Sequence, residues 1–355
     1  MQQTVISPLA KRLSPYVPGE QPKGRQKIIK LNTNENPYPP APGVVEALKN
    51  FDTDKLRLYP EPTCKVLVDA IADYYGIRSS QVFTGVGSDD VLAMIFMTFF
   101  NSKKPILFPD ITYSFYDVWA DMLRIPYETK ALDDDFQIKK EDYYGENGGV
   151  VFPNPNAPTG ILMPLSEIED IIAHNRDVIV VVDEAYIDFG GESALPLIEK
   201  YDNLLVVQTF SKSRSLAGMR LGFAMGNEKL IRYINDVKYS FNSYTLNQTA
   251  LVLGVQAIRD REYFEETCAK VIATREWTKC ELKKLGFSFG DSMSNFIFAT
   301  HERVPAKEIF EVLREHNIFV RYFSKPRISN YLRISIGTQQ EMERLTAFLA
   351  VFLGE

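Results

Sequence analysis

A lysine surrounded by small hydroxyl residues, glycines and a second cation stands in segment 208–222, QTFSKSRSLAGMRLG. The residues just before it, 204–207, form a short apolar run that is typical of a buried strand. A lysine that follows such a strand is held rigidly while its amine remains accessible. When burial or a neighbouring cation lowers the pKa of the amine, its neutral form can attack a carbonyl carbon and form a Schiff base. Lys212 is therefore a candidate nucleophile.

Ser211 and Arg220 lie on either side of this lysine and could bind a phosphate group, for which Arg220 supplies a permanent positive charge. A reactive amine beside a phosphate clamp indicates pyridoxal phosphate as a cofactor. The plainer interpretation is a solvated lysine in a loop, because a serine–lysine pair carries little specificity by itself. Further segments have to separate these two interpretations.

A carboxylate follows a second apolar run in segment 177–186, DVIVVVDEAY. A run without polar alternation is buried on both faces, as in a parallel sheet. Asp183 is then expected at the carboxyl edge of that sheet, where open α/β folds bind ligands. A carboxylate there would keep a pyridine nitrogen protonated, and Tyr186 could reach the ring oxygen. The alternative is an aspartate that only caps the next helix.

Three prolines and two asparagines follow a short strand in segment 150–160, VVFPNPNAPTG. Prolines at alternating places exclude a helix and make the loop rigid. Asn156 would then be a fixed amide donor for the ring oxygen of the same cofactor. A rigid loop without a ligand is the alternative.

In this order, VFPNPNAPTG, VVDEAYIDF and TFSKSRSLAGMRLGF resemble the signature blocks of the fold type I pyridoxal-phosphate-dependent aminotransferases. The resemblance implies that Lys212 binds the cofactor and moves a proton between substrate and cofactor. It also implies that Asp183 keeps the ring nitrogen protonated and that Asn156 and Tyr186 tune the ring oxygen. The serine and arginine on either side of the lysine are implied to anchor the cofactor phosphate.

Two glycines turn the chain from a strand into a helix in segment 82–90, VFTGVGSDD. Free amides at a helix N-terminus bind phosphate, so the amides of Ser88 and Asp89 are expected to complete the phosphate site. A nicotinamide-dependent oxidoreductase is disfavoured because Asp90 replaces the third glycine of the GxGxxG pattern. A non-catalytic module that binds a phosphorylated ligand through this turn stays open as a hypothesis from another class of function.

Two tyrosines gain a role from the resemblance. Tyr113 follows a buried strand and could stack on a pyridine ring, although packing in the core is the commoner fate of a lone tyrosine. The family's P-x-Y-x-x-Y pattern favours the stacking role. Tyr59, in LYPEP, matches a tyrosine that reaches the cofactor phosphate of the neighbouring subunit. This match predicts a homodimer with shared active sites.

The N-terminal part of the chain is implied to contact the substrate. Segment 13–19, LSPYVPG, is an arm without periodicity, and in the resembled family such an arm closes over the substrate. Tyr16 would then be a substrate contact. LNTNENP, at 31–37, matches another family block and is expected to bring Asn34 to the mouth of the cavity.

Two short predicted strands, 318–322 and 331–337, each carry one arginine among apolar residues. A desolvated guanidinium needs an anion, and its planar fork suits a carboxylate or a phosphate. Exposure of the charged head at the surface is the alternative. Arg321 and Arg333 are therefore candidate substrate anchors, and the LRISIG frame matches the carboxylate-binding arginine of the family.

Together with the arm and the LNTNENP and YPEP blocks, these arginines resemble the histidinol-phosphate aminotransferase branch of the family. The resemblance implies a ping-pong reaction of L-histidinol phosphate and 2-oxoglutarate that yields imidazole-acetol phosphate and L-glutamate, within histidine biosynthesis. The two arginines would share the phosphate of one substrate and the carboxylates of the other. An aromatic or broad-specificity aminotransferase, or a decarboxylase acting on a threonine phosphate, stays open because these enzymes differ in their pocket lining.

The elements that position these residues alternate between strand and helix from 82 to 225, which predicts an α/β fold with a doubly wound, mostly parallel sheet. We expect an N-terminal arm with part of a small domain at 1–34. A large cofactor-binding domain is expected at 35–250, and a small α+β domain at 251–355. Helices are expected at about 63–75, 91–100, 228–240, 247–259, 262–285 and 306–316.

Composition limits the class of protein, its cellular location and the kinds of site that we expect. The chain has 355 residues, is 45% hydrophobic and 24% charged, and carries a net charge of −6, which is typical of a globular protein without affinity for nucleic acid or membranes. Three cysteines without CxxC spacing, and a start without an apolar leader, predict a cytoplasmic protein. No metal site is predicted, because the chain has only three histidines and none lies in a ligand pattern.

Overall fold

The computed structural model of the protein describes residues 7–15, 19–22 and 28–354. Its helices are α1 (Pro8–Arg12), α2 (Pro42–Lys49), α3 (Lys65–Tyr75), α4 (Ser88–Phe99), α5 (Tyr116–Leu123), α6 (Leu165–His174), α7 (Glu228–Phe241), α8 (Gln248–Arg259), α9 (Arg261–Lys284), α10 (Ala306–Glu315) and α11 (Gln339–Leu353). Its strands are β1 (Ile29–Lys30), β2 (Val82–Gly85), β3 (Ile106–Pro109), β4 (Tyr127–Lys130), β5 (Val150–Pro153), β6 (Val180–Asp183), β7 (Leu204–Thr209), β8 (Gly222–Gly226), β9 (Phe287–Phe289), β10 (Phe296–His301), β11 (Ile318–Phe319), β12 (Arg321–Tyr322) and β13 (Leu332–Ser335).

A seven-stranded sheet forms the larger part of the molecule, in the order β2-β8-β7-β6-β5-β3-β4. Strand β8 is antiparallel to both of its neighbours, whereas the pairs from β7 to β4 are parallel. All residues of β5, β6, β7 and β8 are buried, as expected for apolar runs without polar alternation. The predicted α/β fold with a mostly parallel sheet is confirmed.

Helices cover both faces of this sheet. Helices α4, α5 and α7 pack on the face that carries Val181 and Leu205, and α3, α6 and α8 pack on the face that carries Val180 and Val182. Side chains alternate between faces along a strand, so Asp183 at the end of β6 points to the side of Val181. This alternation decides which helix can contact the predicted catalytic carboxylate.

A four-stranded antiparallel sheet, in the order β12-β13-β10-β9, packs with α9, α10 and α11 around a second core. Beside it, β1 pairs in parallel with β11. The predicted single strand at 318–322 is therefore two strands, because the chain leaves one sheet and joins the other at the buried Val320. Within the residues that the structure describes, no helix is both long enough and apolar enough to cross a membrane.

Candidate active site

Lys212 lies in the loop that joins β7 to β8, beyond the carboxyl end of β7. Its Nζ donates to the main-chain oxygen of Thr33 over 3.4 Å and lies 5.6 Å from the centre of the Tyr186 ring. The side-chain amide of Asn36 donates to the main-chain oxygens of Lys212 and Ser213, over 3.1 and 3.0 Å. Asn36 therefore fixes the backbone that carries the lysine, a contact that the sequence analysis did not predict.

A cavity of about 170 Å³ opens beside Lys212. We call it the inner cavity. It brings together residues that the sequence predicted from distant segments. The predicted site residues that line it are Ser88, Asp89, Tyr113, Asp183, Tyr186, Ser211, Lys212 and Arg220.

Asp183 is almost completely buried at the end of β6, with 4% of its surface exposed. The Tyr116 hydroxyl donates to its Oδ2 over 3.0 Å, and the Ala185 amide donates to its Oδ1 over 3.2 Å. Burial raises the pKa of Asp183 to about 6, although these two hydrogen bonds and the charge of Lys212 oppose the rise. A carboxylate with a pKa this close to neutrality is well matched to a basic nitrogen that must stay protonated.

Donors that suit a phosphate also line the inner cavity. Helix α4 begins at Ser88, so its first amides have no acceptor within the helix. Arg220 Nη1 lies 3.4 Å from Ser211 Oγ, which places the two predicted phosphate ligands side by side. A Cβ atom on Gly87, whose φ is +85°, would lie 2.6 Å from Arg220 Nη2, and one on Gly222 would lie 2.3 Å from the Ser88 amide. Glycine at both positions lets these donors approach each other.

Asp89 contributes a carboxylate as well as an amide. It accepts a hydrogen bond of 2.5 Å from the Tyr113 hydroxyl, and Arg220 Nη2 lies 3.3 Å from its other oxygen. Asp90, which breaks the glycine pattern, accepts from the Val86 amide over 2.9 Å and so stabilises the turn. The sequence analysis predicted neither carboxylate contact.

Tyr186 is oriented by Asn34, which in turn contacts the four-stranded sheet. The Asn34 side-chain amide donates to the Tyr186 hydroxyl over 2.9 Å. Asn34 has a φ of +55° and is held by Ser335 of β13 and by Asn295, which donates to its main-chain oxygen over 2.9 Å. The Asn34–Tyr186 contact therefore links the four-stranded sheet, through Ser335, to the segment that follows β6 of the seven-stranded sheet.

A second cavity, of about 180 Å³, shares Thr33, Tyr113, Tyr186 and Lys212 with the first. We call it the outer cavity. Asn34, Arg321 and Arg333 also line it. The two arginines are directly paired across the antiparallel strands β12 and β13. Because opposed residues on such strands extend from the same face, two positive charges lie next to each other at this cavity.

Two predicted site residues, Asn156 and Tyr59, do not line these cavities. The Asn156 amide donates to the Ile111 carbonyl and to Thr159 Oγ1, over 3.0 and 3.1 Å, and Asn156 does not line either cavity. Tyr59 is 80% exposed, and its ring centre is 4.8 Å from that of Tyr244, away from both cavities. Tyr16 lies outside the described residues.

The residues of the inner cavity fit pyridoxal phosphate. Its lining offers the donor set of a phosphate site, a buried carboxylate for a ring nitrogen and the amine of Lys212. A model of the family described as aminotransferase class I and II matches residues 26–349. The chain belongs to the class I and II aminotransferase family. Membership confirms the predicted transaminase activity and the predicted cofactor.

Named relatives support the predicted resemblance to histidinol-phosphate aminotransferases. This aminotransferase is 54% identical to a histidinol-phosphate aminotransferase of Clostridium botulinum strain Langeland, over 95% of each chain. It is 55% identical to one of Clostridium acetobutylicum, over 94% of each chain. A crystal structure of histidinol-phosphate aminotransferase from Sinorhizobium meliloti in complex with pyridoxal 5'-phosphate has the same fold, with a TM-score of 0.89, 23% identity and coverage of 100% and 98% of the two chains.

Glu184, next to Asp183, is expected to make the stability of this aminotransferase depend on pH. It faces the other side of the sheet and accepts hydrogen bonds from Ser193, Ala194 and Gln208. Burial raises its pKa from 4.5 to about 7. Between these values the folded protein retains a proton that the unfolded chain releases, so rising pH destabilises the fold, by up to about 3 kcal/mol.

We therefore expect the Glu184→Gln variant to gain stability relative to the wild type as the pH rises from 5 to 8. Midpoints of urea-induced unfolding at both values measure the change. Glu192→Gln, at an exposed position, is the control and should follow the wild type. An equal pH dependence of the wild type and Glu184→Gln would contradict the raised pKa.

Proposed function

We propose that this aminotransferase converts L-histidinol phosphate and 2-oxoglutarate into imidazole-acetol phosphate and L-glutamate, within histidine biosynthesis. The pair formed by Arg321 and Arg333 carries the proposal, because two adjacent guanidinium groups suit an anion with more than one negative charge. Both arginines line the cavity that Lys212 also lines. A phosphate on the substrate would neutralise the pair, and the carboxylates of glutamate could replace it in the second half-reaction. The names of relatives at 52–55% identity support the same substrate.

The chain would bind its cofactor through several groups that the inner cavity collects. When bound, pyridoxal phosphate supplies a ring that withdraws electrons from the reacting carbon of the substrate. Asp183 would hold the ring nitrogen, and Tyr113 would stack on the ring. The groups that would hold the phosphate are Ser211, Arg220 and the amides of Ser88 and Asp89. Tyr186 would contact the ring oxygen, and Asn156 would do so after its amide turns toward the cavity.

Lys212 would act as the base that takes a proton from the reacting carbon of the substrate, and it would then donate that proton to the bound cofactor. Lys212 lines both cavities, and so a substrate held by the arginines would present its amine-bearing carbon to the Lys212 amine. Asn36 restrains the backbone on which the base moves. Asn34 restrains Tyr186, beside which the base lies.

The near-visible absorbance of the purified protein tests the function. Addition of histidinol phosphate alone should convert the cofactor from its aldehyde form to its amine form, and 2-oxoglutarate should reverse the change. Turnover of histidinol phosphate, phenylalanine and tyrosine should then be compared under the same conditions. Conversion by the aromatic amino acids without conversion by histidinol phosphate would remove the proposed substrate and leave the aminotransferase.

Replacement of Arg321 by glutamine tests the arginine pair. Loss of one charged hydrogen-bonding partner should lower kcat/KM for histidinol phosphate by about 10- to 100-fold. Arg327→Gln, on the same segment but outside the lining of the outer cavity, should stay close to the wild type. The ratio of the losses for histidinol phosphate and glutamate shows which anion Arg321 binds. An unchanged kcat/KM for both substrates would exclude Arg321 from the site.

We also propose a homodimer in which Tyr59 completes the phosphate site of the partner. Tyr59 is far more exposed than a tyrosine that packs in a core, and apolar side chains near it are exposed as well. They are Leu56, Leu58 and Tyr244, with exposures of 60%, 51% and 47%.

A cytoplasmic location, where disulfides are rare, fits the three free cysteines of the chain.

Mixed dimers test this sharing. The variants Lys212→Ala and Tyr59→Ala should each be impaired alone. After they are unfolded and refolded together, half of the dimers should be mixed, and each mixed dimer should contain one intact site. We expect recovery of about a quarter of wild-type activity if the dimer has two-fold symmetry. Activity no greater than the average of the two single variants would contradict a shared site.

A further inference from the structure

We propose that Tyr116 is a positioning residue for this reaction, because its hydroxyl holds the Asp183 carboxylate in the orientation and charge state that a protonated ring nitrogen requires. The inference rests on the proposed function, since it concerns the residue that would bind the cofactor ring. Tyr116 does not line the inner or the outer cavity. It therefore acts through Asp183 and does not touch the cofactor or the substrate.

The contact is rigid on the side of the tyrosine. Tyr116 is the first residue of α5 and is completely buried. Its ring contacts four aromatic rings, with distances between ring centres of 6.2, 5.8, 5.8 and 6.3 Å to Phe96, Phe108, Tyr113 and Trp119. Because these rings restrict its movement, the hydroxyl presents one fixed donor to Asp183 Oδ2 at 3.0 Å.

The contact also leaves the carboxylate able to bind a further donor. Each oxygen of Asp183 accepts one hydrogen bond, from the Ala185 amide at Oδ1 and from Tyr116 at Oδ2. An ionised carboxylate has about four acceptor positions, so both oxygens can accept another bond. Asp183 lines the inner cavity, where that donor would lie.

The hydroxyl opposes the effect of burial. A hydrogen bond donated to the charged form of an acid favours that form, whereas burial disfavours it. The other groups that act on this carboxylate are the Ala185 amide and Lys212, which favour its charge, and Asp89, which does not. Without the tyrosine hydroxyl, Asp183 would hold its proton to a higher pH and would lose its ability to accept from a protonated ring nitrogen.

The Tyr116→Phe variant of the holoenzyme tests the proposal. The change removes one oxygen and keeps the ring that packs against four aromatic neighbours. We expect the pH midpoint of the near-visible absorbance of the bound cofactor to shift by about one unit from the wild-type value, because Asp183 no longer supports the charge of the ring nitrogen. We also expect kcat to fall by about 10- to 100-fold, with KM for histidinol phosphate changed less than about two-fold.

Tyr143→Phe is the matched control. Tyr143 is also buried, with 1% exposure, and its hydroxyl has no hydrogen-bond partner among the described residues. The control variant should retain the wild-type midpoint and kcat. If Tyr143→Phe changed both as much as Tyr116→Phe, the effect would come from packing and the proposal would fall. An unchanged midpoint in Tyr116→Phe would overturn it directly.

A double substitution separates positioning from general damage. In an Asp183→Asn background, Tyr116→Phe should cause no further loss of kcat, because the carboxylate through which it acts is absent. Additive losses would overturn the proposal, even if Tyr116→Phe alone were less stable than the wild type. The absorbance titration needs no substrate, so failure of histidinol phosphate as a substrate would not decide this test.

Discussion

Replacement of Lys212 by alanine is expected to lower kcat by about 10⁴-fold or more. The variant loses the amine that binds the cofactor covalently and the base that moves the substrate proton, and each role is of the kind that contributes several powers of ten. Rapid mixing of the cofactor-loaded variant with histidinol phosphate, followed by absorbance in a single turnover, measures the proton-transfer step without product release.

Two controls make the Lys212 result specific. Lys229→Ala, at an exposed position, should retain wild-type turnover. A small primary amine added to Lys212→Ala should restore part of the activity, since it can act as a base in the space left by the side chain. A variant that keeps more than a tenth of wild-type kcat would show that another group takes the proton, and the proposed role of Lys212 would be wrong.

The sequence predicted the residues that stand at the ends of buried strands. Lys212 follows β7 and Asp183 ends β6, and parallel neighbours with all residues buried must bring their carboxyl ends to one edge. The direction of β8 did not follow from the sequence, because an apolar run looks the same in parallel and antiparallel pairing. The fold class was therefore predictable, and the reversal of one strand was not.

Contacts between distant side chains could not be predicted in the same way. The Asn36 amide bonds the backbone of Lys212, which is 176 positions away, and Tyr116 bonds Asp183, which is 67 positions away. Asn36 lies in the LNTNENP block and Tyr116 ends the Y-x-x-Y part of the tyrosine pattern that the sequence analysis used, but these patterns alone do not say which side chain faces which partner. The role of the exposed Tyr59 cannot be inferred from a single chain either, because its proposed contact is with the phosphate site of a partner subunit.

The arginine pair depends on a register that no local pattern contains. Each arginine was predicted from its own strand, and their direct opposition follows only from the pairing of β12 with β13. That pairing requires the chain to leave β11 at Val320 and change sheets. A two-residue strand is too short for periodicity to reveal such a change.

Replacement of Asp183 by asparagine is the second substitution expected to have a large effect. The variant keeps the size of the side chain, and its single oxygen can still accept from Tyr116 or from the Ala185 amide, which bond different oxygens of Asp183. It cannot hold a positive charge on a ring nitrogen, so the cofactor would withdraw electrons less strongly from the substrate. We expect kcat to fall by about 10²- to 10³-fold, which is typical of the loss of one preorganised electrostatic partner.

Glu184→Gln is the matched control for this change. Glu184 is the adjacent residue, it is equally buried, and its pKa is also raised, but its hydrogen bonds go to Ser193, Ala194 and Gln208 on the opposite side of the sheet. Its loss should leave kcat within about three-fold of the wild type, since surface and structural changes away from a site add little to the barrier.

The comparison of the two variants tests the whole arrangement of the inner cavity, because adjacent positions on one strand face opposite sides. If the cofactor ring lies on the side of Asp183, only Asp183→Asn lowers kcat and shifts the near-visible absorbance. If Glu184→Gln lowered kcat as strongly, both carboxylates would contribute to the reaction. The opposite directions of the two side chains would then not determine which carboxylate acts on the cofactor. If neither variant lost activity, the ring nitrogen would have to be held by a group other than the carboxylate that ends β6.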